Sequence, residues 1–534
     1  SSAQQIFENT APSKYRVVFK DKGTSEYSIE EPEKFLSPAA LERRRKHGIQ
    51  VTESDLPVST YYINTIQDYG VRVLSVSKWF NSITIEVNDS TVLPQIGALT
   101  FVDKHVVTAH ETYKTKTAVS RNNMSLNLFD QMNYGPSWWQ TAVHNGQLLH
   151  NNGFTGNGIT IALLDAGFSN VDTLPVFNRL FENGRIIGTR DFVQPGNSVY
   201  REATHGMSVL SIIGGYQSEG LIGTAPDASF WLLRSEDGGS EYIIEEDNWI
   251  AAAEFADSAG ADIINTSLGY SVFNDSTQNH TYADMDGNTT RVSKAADIAA
   301  SKGMIVIVSA GNQGNAKWKY ITAPADADSV LTVGAIDRSK TIASFSSRGP
   351  SSDGRIKPNV VSIGQGVFVG NIDGSIRQGN GTSFSAPVIT GLTACLWQAN
   401  PEAKAGEIYS AIIESSDRFY NPNSDYGYGV PDFHLANLLL KAKSHSLESD
   451  ARVTAFPNPF YNQLYIFFKE PVSSSISIKL FDLAGKEVFQ KTYAGIPDRN
   501  FLVIDSDFDS IQKGIYIIRI QAGGVSGNSK LIKY

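Results

Sequence analysis

The chain has 534 residues, several times the usual length of one domain. Apolar residues make up 41% and charged residues 19%, with 45 Gly and 20 Pro, a composition that excludes collagen-like, coiled-coil and wholly disordered proteins. The formal net charge of −10 gives no electrostatic reason to expect nucleic acid as a partner.

Cofactor and membrane signals are weak. No apolar run is long enough to span a bilayer, so we expect no transmembrane segment. Cys395 is the only cysteine, and no Cys/His cluster has the spacing of a structural zinc site. His110 is followed by Glu111, but the second histidine of a zincin helix is missing. Cys395 also lies within an apolar helical pattern, so a cysteine hydrolase is not expected. Because no metal-ligand cluster is present in the sequence, a metal hydrolase is not expected either.

The first region, residues 14–110, predicts a small α+β domain. Three apolar runs indicate strands, at residues 15–19, 71–76 and 81–87. A charged helix is expected over residues 38–47, begun by a Ser37 cap. We interpret the basic cluster at 43–46 as the solvent-facing side of this helix, with a processing site as the alternative.

The second region, from about 145 to 440, predicts an α/β domain. Short β-branched runs alternate with helix-like stretches, at residues 158–164, 228–233, 261–266, 303–309 and 330–335. Continuous apolar strands separated by helical patterns indicate a doubly wound, mostly parallel sheet with helices on both faces.

The third region, residues 451–534, holds roughly seven alternating segments without helices. Even strand spacing of this kind is typical of a β-sandwich. We therefore expect three domains: an α+β domain with its linker at 1–120, an α/β domain at 121–445, and the β-sandwich at 446–534.

Three segments of the α/β region each place one polar residue where a doubly wound sheet puts its active site, at strand ends and helix starts. Asp165 ends an apolar strand, His205 with Gly206 opens an apolar helix, and Ser383 precedes the apolar helix 388–397. A helix N-terminus favours a developing negative charge beside Ser383. Each residue has an ordinary alternative when taken alone: a capping Asp, a structural or surface His, and a serine N-cap.

The chain order Asp165, His205, Ser383 and the G-T-S-F-S-A-P block at 381–387 closely resemble the subtilisin-like serine proteases. The resemblance implies that these three residues form a catalytic triad, with Ser383 as nucleophile, His205 as general base and Asp165 orienting the imidazole. The segment 308–314 resembles the family's oxyanion-hole motif and implies that the Asn312 amide stabilises the tetrahedral intermediate.

The segment 264–269 resembles the family's substrate-binding strand. It implies that Ser267, Leu268 and Gly269 pair with the main chain of a protein or peptide substrate, which favours broad specificity. Gly311 is expected at the wall of the pocket for the residue before the scissile bond (P1), and Gln313 near its base. Since Gln313 is neutral, we expect no strict preference for a charged P1 residue.

The sequence departs from the family beside Asp165. Ala166 stands where the family usually has a hydroxyl residue, so one hydrogen bond to Asp165 is expected to be missing or to come from another group.

No cofactor is expected. Many relatives hold calcium, but no site can be assigned from the sequence. The best candidate combines Asp284, Asp286 and Asn288, which we interpret as a solvated loop.

Both flanking regions resemble known accessory domains. Residues 14–110 resemble an inhibitor-type protease propeptide, which implies an intramolecular inhibitor and cleavage between 110 and 145. Residues 451–534 resemble the sorting domains of the type IX secretion system of Bacteroidetes, with motifs at 455–460, 483–486, 514–518 and 530–532. That resemblance implies contact with the secretion machinery; a carbohydrate- or protein-binding sandwich is the alternative.

Together these features predict a secreted or outer-surface serine endopeptidase that is made as a precursor. The alternative is a catalytically silent surface-binding protein built on a protease scaffold. The intact residues Asp165, His205, Ser383 and Asn312 argue against it.

Overall fold

The computed structural model describes residues 12–110, 132–448, 452–456, 458–460, 464–497, 500–504, 507–508 and 510–533. Contacts divide the chain into two units, Ser1–Phe433 and His434–Tyr534. Much of the stretch in which we expect processing, residues 111–131, lies outside the described residues. The domain boundaries expected at 120/121 and 445/446 stay predictions.

The N-terminal region is the expected α+β domain. Its elements are β1 (Pro12–Phe19), α1 (Pro38–His47), α2 (Thr60–Gln67), β2 (Arg72–Ser77), β3 (Ser82–Glu86), α3 (Leu93–Gly97) and β4 (Val102–His110). The strands form an antiparallel sheet in the order β2-β3-β1-β4. Alternate residues of β1 and β3, such as Val17, Ile83 and Ile85, pack with Ile66 and Ile96 of the helices into one core.

Helix α1 has the predicted bounds, and the Ser37 hydroxyl accepts a hydrogen bond from the Ala40 amide at 3.1 Å. The interpretation of its basic cluster as a solvent-facing side is wrong for Arg43 and Arg44. Their side chains are 2% exposed and pair with Asp257, at 2.5 and 2.9 Å.

The cluster therefore divides between two faces of one helix. Arg44 also pairs with Asp55 at 2.8 Å, whereas Arg45, 75% exposed, pairs with Glu42 of its own helix. The error arose because the partner of the buried arginines, Asp257, is far away in the sequence and no local pattern indicates it.

The second region contains β5 (Thr160–Asp165), β6 (Ile186–Asp191), β7 (Tyr216–Gln217), β8 (Leu221–Ile222), β9 (Ser229–Arg234), β10 (Ile263–Thr266), β11 (Ile305–Ser309), β12 (Leu331–Ile336), β13 (Val360–Ile363), β14 (Gln365–Gly370) and β15 (Ile376–Asn380). Its helices are α4 (Trp138–Ala142), α5 (Gln147–Asn151), α6 (Asn178–Glu182), α7 (His205–Gly214), α8 (Ile244–Ala259), α9 (Arg291–Ser301), α10 (Thr382–Ala399), α11 (Ala405–Glu414) and α12 (Phe433–Glu448), the last of which crosses into the second unit. No helix in the described part of the chain combines the length and apolarity that a bilayer crossing would need.

Seven of these strands form a wholly parallel sheet in the order β13-β12-β11-β10-β5-β9-β6. The five apolar runs of the sequence became its inner strands, whereas the two edge strands β6 and β13 were not predicted. β6 is partly exposed and carries Arg190, and β13 has only four residues. The connections change direction between β5 and β10, so a crevice forms at the carboxyl ends of these two strands.

The C-terminal unit contains β16 (Val453–Phe456), β17 (Leu464–Phe468), β18 (Ile476–Phe481), β19 (Glu487–Tyr493), β20 (Phe501–Ile504), β21 (Gly514–Ala522) and β22 (Val525–Lys533). They form two antiparallel sheets, β16-β17-β20 and β19-β18-β21-β22. Inward residues of both sheets, among them Ile466 and Ile518, share one core. This packing confirms the predicted sandwich.

Candidate active site

Asp165 is the last residue of β5 and is 1% exposed. Its Oδ1 accepts two hydrogen bonds, each 2.8 Å long, from the Ala166 amide and from Nδ1 of His205. Among the described residues, its buried Oδ2 has no hydrogen-bond partner. No described side chain therefore supplies the bond that a hydroxyl at position 166 would give.

His205 is the first residue of α7, and Gly206 lets this helix approach the end of β5. A Cβ on Gly206 would lie only 2.6 Å from the Gly167 carbonyl oxygen and 2.9 Å from Cβ of Asp165. Burial lowers the pKa of His205, but attraction and hydrogen bonding to the Asp165 carboxylate outweigh it and raise the pKa to about 8. The imidazole is therefore held by its Nδ1–H and stabilised in its protonated form.

Ser383 is the second residue of α10 and is 9% exposed. Its hydroxyl donates to the Ser267 carbonyl oxygen at 3.2 Å, and the Ser267 hydroxyl donates to the Ser383 carbonyl oxygen at 2.9 Å. No hydrogen bond of the described residues joins Ser383 to His205, although the imidazole stacks on neighbouring Phe384 with ring centres 6.1 Å apart. The Ser383 hydroxyl is thus engaged by the Ser267 carbonyl oxygen in this structure.

Asn312 follows β11 and has an exposed side chain. Its Oδ1 accepts hydrogen bonds from Thr382, at 2.8 Å from the amide and 3.0 Å from the hydroxyl. The Thr382 hydroxyl in turn accepts from the Gly311 amide at 3.2 Å. The carbonyl end of Asn312 is thus held by the start of α10, and no hydrogen bond of the described residues uses its NH₂ group.

An open cleft of about 510 Å³ lies at the carboxyl ends of β5 and β10. Its lining includes His205 and the segment Ser267, Leu268 and Gly269. Gly311 and Gln313 are not part of this lining. The backbone N–H of Gln313 donates to the Ser347 hydroxyl at 3.0 Å. The structure therefore gathers the expected strand segment and the histidine around one cleft and leaves Gln313 apart from it.

Sequence reasoning missed three residues at this cleft. Glu236, Glu241 and Glu245 each place one carboxylate oxygen within 4.8 Å of the other two. Glu236 and Glu241 line the cleft. The signal was the charge density, because six of the twelve residues 236–247 are acidic.

The residues considered for calcium have other roles. Oδ1 of Asp286 accepts from the amides of Asn288 and Thr289 at 2.8 and 2.7 Å, and Oδ2 of Asp284 accepts from the Thr281 amide at 2.6 Å. These carboxylates stabilise local turns. Among the described residues, the three glutamates at the cleft are the only acid, His or Cys group spaced for a metal ion.

Cys395 lies within α10 and is fully buried. Its Sγ is 3.6 Å from Nε2 of His150 and donates to the Thr224 carbonyl oxygen at 3.2 Å. Burial raises the pKa of this thiol well above its usual value. A buried thiol that resists ionisation is a poor nucleophile.

Comparison with known proteins assigns all three regions. The model of the subtilase family matches residues 156–430, that of the peptidase S8 propeptide domain of Bacteroidota matches 14–124, and that of the secretion system C-terminal sorting domain matches 454–534. The sorting domain identifies a secreted or cell-surface protein.

Curated relatives match the catalytic region. The serine protease AprX of Bacillus subtilis is 29% identical over 54% of this chain and 67% of its own length. Subtilisin E of the same organism is 28% identical over 53% of this chain and 66% of its own length. The chain thus spans about two thirds of these relatives.

Among solved structures, MycP1 from Mycobacterium smegmatis aligns with a TM-score of 0.44 and 23% identity, over 58% of this chain and 86% of that chain.

The subtilase model itself covers residues 156–430, just over half of the 534 residues. The chain therefore belongs to the subtilase family and is a subtilisin-like serine endopeptidase.

Proposed function

We propose that the protein hydrolyses peptide bonds with a triad of Asp165, His205 and Ser383, through an acyl-enzyme. The observation that carries the proposal is the 2.8 Å hydrogen bond between Nδ1 of His205 and Oδ1 of Asp165, beside the helix start that bears Ser383. That bond directs Nε2, the other ring nitrogen, away from the carboxylate, as a general base requires.

The first half of the reaction forms the acyl-enzyme. A serine hydroxyl is a weak nucleophile, so Nε2 of His205 takes the Ser383 proton as Oγ attacks the substrate carbonyl carbon. The Asn312 NH₂ and the Ser383 backbone N–H donate to the oxyanion that develops. Collapse of this intermediate breaks the C–N bond, and His205 gives its proton to the leaving amine.

In the second half, a water molecule attacks the acyl carbon. His205 accepts the water proton and then returns it to Oγ of Ser383, which regenerates the enzyme. Asp165 keeps the imidazole in one tautomer throughout and stabilises its positive charge.

Substrate binding follows from the segment after β10. Ser267, Leu268 and Gly269 line the cleft and can pair with a peptide main chain as an added strand. Hydrogen bonds of this kind are available to any peptide, so they supply affinity without selecting a sequence. We place Gly311 and Gln313 at the P1 pocket, beyond the lining described above.

The N-terminal domain acts as the intramolecular inhibitor. β4 ends at His110, whose Nε2 lies 3.2 Å from Oδ2 of Asp275. His110 also lines a small pocket with Asp237, Ser240 and Glu245 of the catalytic region. The chain leaving β4 therefore begins beside the loop that borders the cleft, which supports inhibition by its C-terminal stretch and cleavage between 110 and 145.

Covalent labelling tests this proposal against a catalytically silent binding protein. A fluorophosphonate probe should label the processed enzyme stoichiometrically and should fail on Ser383→Ala. Ser385→Ala, two residues along α10, is the matched control and should still react. A wild-type enzyme that neither reacts nor hydrolyses any peptide would favour the silent scaffold.

A further inference from the structure

One wall of the cleft carries a pocket of acidic side chains, Glu236, Glu241 and Glu245. One carboxylate oxygen of each residue lies within 4.8 Å of one oxygen of each of the other two. Glu236 and Glu241 are half-buried and line the cleft, whereas Glu245, in the first turn of α8, is 1% exposed. The two outer carboxylates thus flank an opening with a buried third carboxylate close by.

One oxygen of the buried Glu245 carboxylate has a hydrogen-bond partner among the described residues and the other has none. Oε1 of Glu245 accepts from the Asp237 amide at 3.1 Å, but Oε2 has no hydrogen-bond partner among the described residues. The Tyr270 hydroxyl is also fully buried without a partner there, and burial together with the charges of Glu236 and Glu245 raises its pKa. A buried oxygen without a donor is costly, so the pocket offers acceptors that the chain itself does not use.

Among the described residues no lysine or arginine pairs with the two outer carboxylates, although the charge of His205 partly offsets the repulsion at Glu236. The neighbouring Arg234 is held by Asp191 at 2.9 Å. Burial and the nearby charge of Glu241 raise the pKa of Glu236 to about 8, and burial raises that of Glu241 to about 7. A positive charge entering the pocket would relieve this repulsion.

We propose that the acidic pocket binds the positively charged side chain of an arginine or lysine on the N-terminal side of the scissile bond. The proposal rests on the proposed function, because the peptide must occupy the cleft. Ser267 and His205 share this lining with Glu236 and Glu241, so a bound peptide passes the opening of the pocket. The main-chain hydrogen bonds would then accept any peptide sequence, whereas one subsite would select a basic side chain.

A peptide cation suits this pocket better than a calcium ion. Calcium takes six to eight oxygen ligands, whereas this pocket offers three carboxylates, one of which already accepts a backbone N–H. A guanidinium has five N–H donors and can bond several carboxylate oxygens at once.

The test measures kcat/KM of the processed enzyme for internally quenched peptides. Arg, Lys, Leu or Glu is placed in turn at each of the four positions before the scissile bond. We expect Arg and Lys to exceed Leu by about tenfold or more at one of these positions. In Glu236→Gln/Glu241→Gln the Arg-to-Leu ratio should fall to about three or less, and in Glu241→Lys the Glu peptide should overtake the Arg peptide.

The matched control is Glu182→Gln, an exposed acid at the end of α6 that does not line the cleft and should keep the wild-type ratio. Equal hydrolysis of Arg and Leu peptides at every position by a labelling-competent enzyme would overturn this proposal alone. A ratio that disappears with chelator and returns with calcium would also overturn it, in favour of a metal site. Absence of both labelling and hydrolysis would overturn it together with the proposed function.

Discussion

Thr382 holds the side chain of Asn312 by its carbonyl end, with the Thr382 amide 2.8 Å and the Thr382 hydroxyl 3.0 Å from Oδ1. The residue before the proposed nucleophile therefore orients the proposed oxyanion donor. The same hydroxyl accepts a hydrogen bond from the Gly311 amide, so α10 and the segment after β11 are joined at this point. An amide fixed in advance does not need to reorganise when charge develops.

The first prediction concerns the donor itself. Asn312→Ala removes the NH₂ group that stabilises the oxyanion, so we expect kcat to fall about 10²- to 10³-fold with little change in KM. Steady-state kinetics on one peptide, corrected by active-site titration, measure this effect. Asn315→Ala, at an exposed position three residues further, is the control. Full turnover in Asn312→Ala would remove this residue from the mechanism.

The second prediction concerns Thr382, which holds the Asn312 side chain. Thr382→Val keeps the shape of the side chain but removes the hydroxyl between Asn312 and Gly311, so kcat should fall about 5- to 10-fold, less than in Asn312→Ala. Thr393→Val on the same helix is the matched control, because the buried Thr393 hydroxyl has no hydrogen-bond partner among the described residues. A change in KM with kcat unchanged would contradict a positioning role. Equal effects of Thr382→Val and Thr393→Val would contradict it as well.

The third prediction is a pH dependence. Burial opposes the charge on His205, but Asp165 raises its pKa to about 8. The imidazole must be neutral to act as base, so a raised pKa means that activity is lost at a higher pH than for an unperturbed histidine. We expect kcat/KM for a peptide without titratable side chains to fall as the pH drops through about 8.

Proton NMR of the imidazole in Ser383→Ala provides an independent measurement of the same pKa. Asp165→Asn removes the charge that raises it and should lower turnover by about 10⁴-fold. An inflection at or below 6.5, the ordinary histidine value, would show that the carboxylate does not raise the pKa of His205.

The fourth prediction concerns the contact between the N-terminal domain and α8. Asp257 is shared by Arg43, Arg44 and Lys78, all nearly buried. Asp257→Asn leaves these cations without their common counter-charge, and loss of one partner from a buried pair typically costs about 3 to 5 kcal/mol. In the Ser383→Ala background, which cannot process itself, we expect the first unfolding transition to shift down by about 5 °C or more.

The matched control for this variant is Glu42→Gln. Glu42 pairs with Arg45 on the same helix as Arg43 and Arg44, but both side chains are exposed, 59% and 75%. Exposed pairs contribute little, so this change should leave the transition in place. Identical melting curves for Asp257→Asn and Glu42→Gln would show that the buried network does not hold the N-terminal domain.

Local patterns predicted much of this molecule. Asp165 could be placed at a strand end and His205 at a helix start because a continuous apolar run or a glycine beside a charged residue is visible within a few positions. The pairing of Arg43 with Asp257 depends on how distant segments fold together, and no single stretch of sequence carries that information. The acidic residues 236–247 are visible as a local run of charge, but the sequence does not show which of them converge at the cleft. The edge strands β6 and β13 were not predicted for a different reason: a strand that is short or half-exposed has no continuous apolar run that would indicate it.

The last prediction concerns the C-terminal sandwich. Its core is formed by its own two sheets, and the chain up to Phe433 forms a separate unit, so deletion of residues 451–534 should leave the catalytic unit folded. Because the deleted part matches a secretion sorting domain, we expect the truncated enzyme to stay cell-associated while cell lysates retain peptidase activity. Immunoblots and activity assays of culture medium, cell surface and lysate measure both quantities. Full-length Ser383→Ala should still be exported, since export does not need catalysis, and normal export of the truncated chain would contradict the sorting role.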